Sequence, residues 1–236
     1  MGNSGDIIYG KVIEMKGDKL VIQEEHVKAA RHIMKLLLLH IMKTQSKFII
    51  TIAGESGSGK SEIAATLSEF LSEKGIKSTI LQQDDYFVYP PKTNAKMRRK
   101  DISHVGLSEV RLAVLDQNLH DIMEGKGEID KPLVIFDDDL ITKETVKLEG
   151  IKVIIVDGTY TTILKNVHQR IFIDLTYIDT REIRICRARE EQDGFLEKIL
   201  EIEHKIISSL KPQADIIVTS NYEVRKVSKS EGTRRH

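Results

Sequence analysis

The sequence predicts an α/β fold, a parallel sheet flanked by helices, and three observations carry that prediction. Residues 54–61 read GESGSGKS. They stand between a β-branched run, KFIITIA at 47–53, and a stretch with helical apolar spacing at Ile63, Leu67, Phe70 and Leu71. Further short apolar runs alternate with helical stretches: STIL at 78–81, IKVIIV at 151–156, IFIDL at 171–175 and ADIIV at 214–218. Such alternation builds neighbouring parallel strands with helices as the crossovers. The run IKVIIV is almost wholly apolar, as a strand covered on both faces must be, and it stops at Asp157-Gly158.

GESGSGKS has the spacing G-x-x-x-x-G-K-[ST] of the phosphate-binding P-loop. Gly54, Gly57 and Gly59 can take backbone angles that side chains forbid. The N–H groups of Glu55, Ser56, Gly57, Ser58 and Gly59 can then turn inward around phosphate oxygens. The helix that follows adds its positive N-terminal end. Lys60 is placed to reach the β- and γ-phosphates, and the Ser61 hydroxyl to ligate Mg²⁺. The order strand, Gly-rich loop, helix is the context the motif requires. A P-loop NTPase-type sheet with ATP and Mg²⁺ as cofactors is therefore expected.

At 236 residues the chain suits one large domain, or one domain with an appendage. Lys plus Arg and Asp plus Glu number 36 each, so no global charge calls for nucleic acid or an anionic membrane. The single Cys186 excludes an intramolecular disulfide and a Cys-based zinc site, and it fits a reducing cytoplasm. No apolar run approaches the ~18 residues that span a bilayer. The first residues, MGNSGDIIYG, lack a signal-peptide pattern and place no Ser or Thr at the sixth position for myristoylation. The expected organisation is an N-terminal extension at 1–45, a P-loop domain at 46–220 and a polar tail at 221–236.

In chain order, residues 6–23 hold two apolar runs around KGDK, a hairpin signal. Residues 24–44 form a helix with a wide apolar stripe, read as a packing or homo-oligomer element; its His26, His32 and His40 read as ordinary surface or core histidines. The strand at 77–81 ends in QQDDYF, and carboxylates at a strand's C-terminal end stand where α/β sheets bind ligands. Residues 88–103 are expected as a loop. Its Lys92, Lys96, Arg98, Arg99 and Lys100 are either a solvated charge run or a flap over an anionic substrate. A helix is expected over 108–125 with Ser108 as N-cap and Val114 in the core. Residues 131–136 are a short strand running into Asp137, Asp138 and Asp139, an acidic turn or cap before a metal cluster, and 145–148 a small edge strand. Asp157 at the end of the buried strand is the Walker-B arrangement that orders Mg²⁺ or its water. The segment 179–192 carries Arg181, Arg184, Arg187 and Arg189, either a clamp on phosphoryl oxygens or a surface helix paired to its own glutamates.

With those residues in hand, the chain resembles the uridine kinase and phosphoribulokinase family of P-loop kinases from Lys47 to Val218. GESGSGKS looks like the family's nucleotide loop, QQDDYF like its Gln-Asp-x-Phe-Tyr segment, and ADIIV like its terminal strand. The resemblance implies that Asp84 is the catalytic base and that Arg181 to Arg189 form the lid, with Arg184 and Arg187 catalytic. It implies that Ser61, Asp84 and Asp157 organise Mg²⁺, and that Asp85, Tyr86, Asp157 and Tyr160 face the substrate. Two departures are plain. The family carries Glu where Asp157 stands, and its uridine-contacting Tyr-Asp-Phe followed by His is missing around Phe136-Asp137. The implied activity is transfer of the ATP γ-phosphate to a hydroxyl-bearing metabolite, first the 5′-hydroxyl of a nucleoside. Kinases of a sugar phosphate, pantothenate or nicotinamide riboside, and a nucleotide-binding regulatory protein, are the rivals.

Overall fold

The computed structural model describes residues 11–15, 18–187 and 193–228, with side chains described over 20–185 and 193–228. Strands β1 (Lys11–Met15) and β2 (Asp18–Ile22) pair antiparallel and lead into α1 (Glu24–Lys43). Then come β3 (Phe48–Gly54), α2 (Lys60–Glu73), β4 (Ser78–Gln82), α3 (Pro91–Lys100) and α4 (Leu112–Met123). The chain continues with β5 (Glu128–Ile135), β6 (Leu140–Lys147), β7 (Val153–Asp157), β8 (Gln169–Ile173), α5 (Arg181–Arg187), α6 (Gly194–Leu210), β9 (Ile216–Val218) and β10 (Val224–Lys226).

One six-stranded sheet has the order β10-β9-β8-β3-β7-β4. All its pairings are parallel except β10 on β9. Side chains alternate across it, as a period of two demands. Phe48, Ile50 and Ile52 join α1 and α2 in one core, while Ile49 and Ala53 join α4 and Ile207 of α6 in the other. Each fully buried Ile or Leu contributes about 1.5–3 kcal/mol, so a sheet covered on both faces is strongly favoured. β3 lies between β7 and β8, so later strands stand on both sides of its C-terminal end, where such sheets bind ligands. The register places Asp157 opposite both Ile52 and Gln82. The ends of β3, β7 and β4 therefore meet at one crevice. Among the described residues no helix is long and apolar enough to cross a membrane.

Several expectations are corrected. The loop at 88–103 contains α3, which starts at Pro91 with its fixed φ. Asp139, at the hairpin turn with φ +51°, accepts bonds from the backbone N–H of Lys92 and Thr93 and from the Thr93 hydroxyl, and so caps α3 from across the chain. The helix expected from Ser108 starts at Leu112. Leu107–Glu109 is a separate short turn, closed by the Glu109 carboxylate accepting the Gly106 N–H, and Val114 is exposed. The small strand at 145–148 is the end of β6, the full-length partner of β5 in its own two-stranded sheet. Helix α1, expected in an extension, shares one core with α2, and the expected tail supplies β10.

Candidate active site

The P-loop follows β3 directly, with Gly57 at φ +78° and Gly59 at φ +87°. Lys60 Nζ donates to the backbone oxygen of Glu55 at 2.8 Å, folding the lysine across the loop mouth. Ser61 Oγ donates to Asp157 Oδ2 at 2.6 Å, so the start of α2 and the end of β7 are joined where a cation would sit. Asp157 Oδ1 is buried and has no partner among the described residues. Burial pushes the Asp157 carboxyl up to about 6, against the Ser61 bond and with help from the Asp84 charge. An acidic group with one oriented and one orphaned oxygen fits a magnesium ion. No three acidic, His or Cys side chains among the described residues form a complete metal cluster.

Asp84 sits on the short turn Gln83–Tyr86 that follows β4. Its side chain meets solvent, but from deep inside the cleft. Depth governs its charge more than surface area does. Desolvation raises its pKa, Lys60 opposes that, Asp85 adds to it and Arg98 opposes it. Lys60, Asp84 and Asp157 thus feel one another's charge. Adjacent Asp85 is turned away and buried. It pairs with Lys131 and accepts the Val134 N–H at 3.0 Å, while Lys131 also reaches Glu144 at 3.2 Å. Expected at the substrate, Asp85 instead fastens β5 to the floor of the site. Tyr86 is likewise corrected: it is fully buried, and its hydroxyl accepts from Asn118 Nδ2 at 3.0 Å in the core beneath α4. Tyr160 is also buried, and its hydroxyl has no partner among the described residues. The Tyr160 N–H donates to Gln83 Oε1 at 2.7 Å.

The segment before α5 locks onto the P-loop. Thr180 Oγ1 donates to the backbone oxygen of Ser56 at 2.8 Å. Arg184 donates to Thr180 Oγ1 at 2.8 Å and to the Tyr177 carbonyl, and its Cγ would lie 3.2 Å from a side chain on Gly57. Arg184 therefore lies on the nucleotide loop. Arg187 closes α5, and its side chain lies outside the described residues, as does Arg189. Arg181 is exposed beside Glu197 at 3.9 Å.

Sequence reading missed three polar clusters. Glu55 accepts the Tyr177 N–H at 2.5 Å and pairs with His204 Nδ1 at 2.6 Å, tying the P-loop to α6. Arg98 of α3 joins Glu109 and Glu203, with Asn94 Nδ2 on Glu109 at 2.8 Å. Lys131 holds Asp85. No local motif announces these contacts; Lys131 shares β5 with the exposed Glu128 and Asp130, and nothing in that run sets it apart as the buried charge.

The chain as a whole has known relatives. Residues 49–194 match the model of the phosphoribulokinase/uridine kinase family. The chain belongs to that family. A uridine kinase of Histophilus somni is 32% identical over 194 residues, covering 75% of this chain and 89% of the relative. A bifunctional alpha-galactosidase/sucrose kinase of Mediterraneibacter gnavus is 28% identical over 188 residues, and there the chain spans 20% of the relative's length. A solved structure described as a possible uridine kinase of Bacillus stearothermophilus superposes with a TM-score of 0.59 at 21% identity, over 80% of this chain and 97% of that one. Phosphoribulokinase from Rhodobacter spheroides superposes at 0.58 with 13% identity, over 75% and 71%. At those identities the structures speak for the fold alone. Within it, this kinase presents Lys60, Ser61, Asp84 and Asp157 around one crevice.

Proposed function

We propose that the protein transfers the γ-phosphate of ATP to a hydroxyl of a small uncharged metabolite, with the 5′-hydroxyl of a nucleoside as the first acceptor to test. The observation that carries the reading is the place of Asp84, on the turn after β4 and beside the strand ends where Ser61 meets Asp157, close enough to feel the charges of Lys60 and Asp157. In this reading the loop amides and Lys60 hold the phosphates, and Ser61 with Asp157 holds Mg²⁺. The ion, when bound, neutralises charge on the phosphate oxygens. Asp84 orients the acceptor hydroxyl and takes its proton as the bond to phosphorus forms. The transition state is loose, so positioning outweighs prior formation of an alkoxide. Arg184 adds positive charge over the loop.

The charges on the acceptor side support an uncharged substrate. Arg98 is paired with Glu109 and Glu203, Arg99 with Asp193, Lys131 with Asp85 and Glu144, and Lys92 Nζ donates to the Asp137 carbonyl. Of the cations at 92–100, Lys92, Arg98 and Arg99 are thus engaged, while Lys96 and Lys100 are exposed. A sugar hydroxyl is the second reading. It is favoured by the relative named for sucrose and by the missing Tyr and His around Phe136. The cytoplasm is the compartment this chemistry implies.

An ATP-consumption screen decides among these. It should include nucleosides, nicotinamide riboside, pantothenate, sucrose, fructose, glycerate and ribulose 5-phosphate. Turnover with a nucleoside supports the first reading, and turnover with a sugar alone the second. Turnover only with an anionic acceptor, ribulose 5-phosphate, glycerate or pantothenate, overturns the uncharged-acceptor argument. ATP binding without turnover on any acceptor moves the regulatory reading ahead.

A further inference from the structure

We infer that His26 and Tyr222 are positioning residues for the nucleotide loop, holding the Ser58–Gly59 peptide so that its N–H faces the phosphates. The inference rests on the reading of the P-loop as the donor site. Both residues lie outside the span 49–194 that the family model matches. One comes from the start of α1, the other from the turn between β9 and β10.

The geometry is a short chain of hydrogen bonds. The Gln23 N–H donates to His26 Nδ1 at 3.1 Å, which leaves the ring hydrogen on Nε2. Nε2 then meets the Tyr222 hydroxyl at 3.3 Å, and that hydroxyl donates to the Ser58 carbonyl at 3.4 Å. The two rings meet edge to face, with centroids 5.1 Å apart and planes at 78°. They wall the back of the loop: a side chain on Gly59 would come within 2.7 Å of His26 Nε2 and 3.2 Å of the Tyr222 hydroxyl. His26 is buried, whereas His32 and His40 of the same helix are exposed.

Two physical points turn this contact into a role. A trans peptide is planar, with its C=O and N–H pointing opposite ways. A hydroxyl that holds the Ser58 oxygen at the back therefore holds the Gly59 N–H at the front, where phosphate oxygens bind. Tyr222 itself sits at φ +57°, an uncommon conformation for a side-chain-bearing residue, which costs about 1 kcal/mol or more. The Tyr222 N–H is bonded to the Thr219 carbonyl at 2.8 Å, so the turn is fixed in that form. Such strain persists where the surroundings over-determine it, and here it aims a hydroxyl at the loop.

The test compares Tyr222→Phe, His26→Leu and His26→Gln with the parent enzyme. It measures affinity for a non-hydrolysable ATP analogue, KM for ATP and for the acceptor, and the unfolding midpoint. Tyr222→Phe keeps the ring and loses the hydroxyl. One hydrogen bond is worth about 0.5–1.5 kcal/mol, so nucleotide affinity should fall about two- to tenfold. The acceptor KM should stay at the parent value, and the unfolding midpoint should fall by no more than the loss of one hydrogen bond allows. His26→Leu should act alike, the double variant should be no weaker than the worse single one, and His26→Gln, which keeps an amide donor, should recover most of the loss. Unchanged nucleotide affinity in Tyr222→Phe overturns the inference. So does a lowered midpoint with equal losses for both substrates, which is what a merely structural contact would give. Lys60→Ala serves as the control. If it too leaves nucleotide affinity untouched, the P-loop reading itself fails, and the two failures are told apart.

Discussion

On the proposed reading, the donor side and the acceptor side of the cleft are built on different terms. The donor side is backbone: a glycine-rich turn, the first turn of α2 and the ends of β3 and β7. Among its buried carboxylates, Glu55, Glu62 and Asp157, it is Asp157 that has an orphaned oxygen and a raised pKa of about 6. The acceptor side is side chain on side chain. Arg98, Glu109 and Glu203 join α3 to α6, and Asp85 with Lys131 joins the β5–β6 hairpin to the turn after β4. Its buried charges are matched. The donor side therefore keeps an unsatisfied carboxylate oxygen ready for a ligand, whereas the acceptor side spends its buried charges on shape.

The sharpest way to break this comparison is at the two adjacent aspartates. Asp84→Asn should lower kcat by about 10²–10⁴-fold with nucleotide affinity retained, the usual contribution of a general base. Asp85→Asn should act on stability instead, because it weakens the anchor of the buried Lys131 ammonium. Steady-state kinetics and urea unfolding on both variants would show it. A crippled kcat in a stably folded Asp85→Asn would exchange their roles.

Glu109→Gln attacks the acceptor side alone. It leaves the Arg98 guanidinium buried with half its pairing, and breaking a buried pair costs about 3–5 kcal/mol. The unfolding midpoint should drop and the acceptor KM should rise while the ATP KM holds. Equal loss for both substrates would deny the division.

Asp157→Asn should do the opposite to stability. The folded-state value near 6 lies above the ordinary 3.8, so the folded protein binds a proton that the unfolded chain has already released. Stability from this group is full below about 4, is lost as pH rises through about 6, and is level above that. The Asn variant lacks that slope. Without nucleotide or magnesium at pH 8 it should be more stable than the parent by about 1–3 kcal/mol, yet catalytically poor. Urea unfolding across pH 4.5–8 is the measurement, and a variant less stable than the parent at pH 8 would contradict the unsatisfied-carboxylate reading.

The smallest effect is expected at Asp139→Ala. Loss of an N-cap costs about 1 kcal/mol. The cap here spans from the hairpin turn to α3, so a slight rise in acceptor KM and a small fall in midpoint are expected together.

The donor side was legible because its physics is local. Residues 54–61 carry their own spacing, and β7 announces itself by burial with Asp157 at its end. Asp84 could be found from its place after a strand. Helix α3 could not, because its contacts to the rest of the molecule run through Asn94 and Arg98 rather than through an apolar stripe. The start of α4 was misplaced for a related reason: Ser108 looks like a cap, but Glu109 does the capping of its own short turn. His26 and Tyr222 meet across 196 residues, and no local pattern in either segment points to the other.

The hairpin of β5 and β6 forms its own ladder and shares none with the central sheet. A ribbon attached in this way can lengthen, shorten or exchange its tip without shifting a single strand beneath the nucleotide. Inheritance can thus treat it as a replaceable part: one phosphate-handling engine, passed on intact, can be fitted to a new alcohol by rewriting some twenty residues.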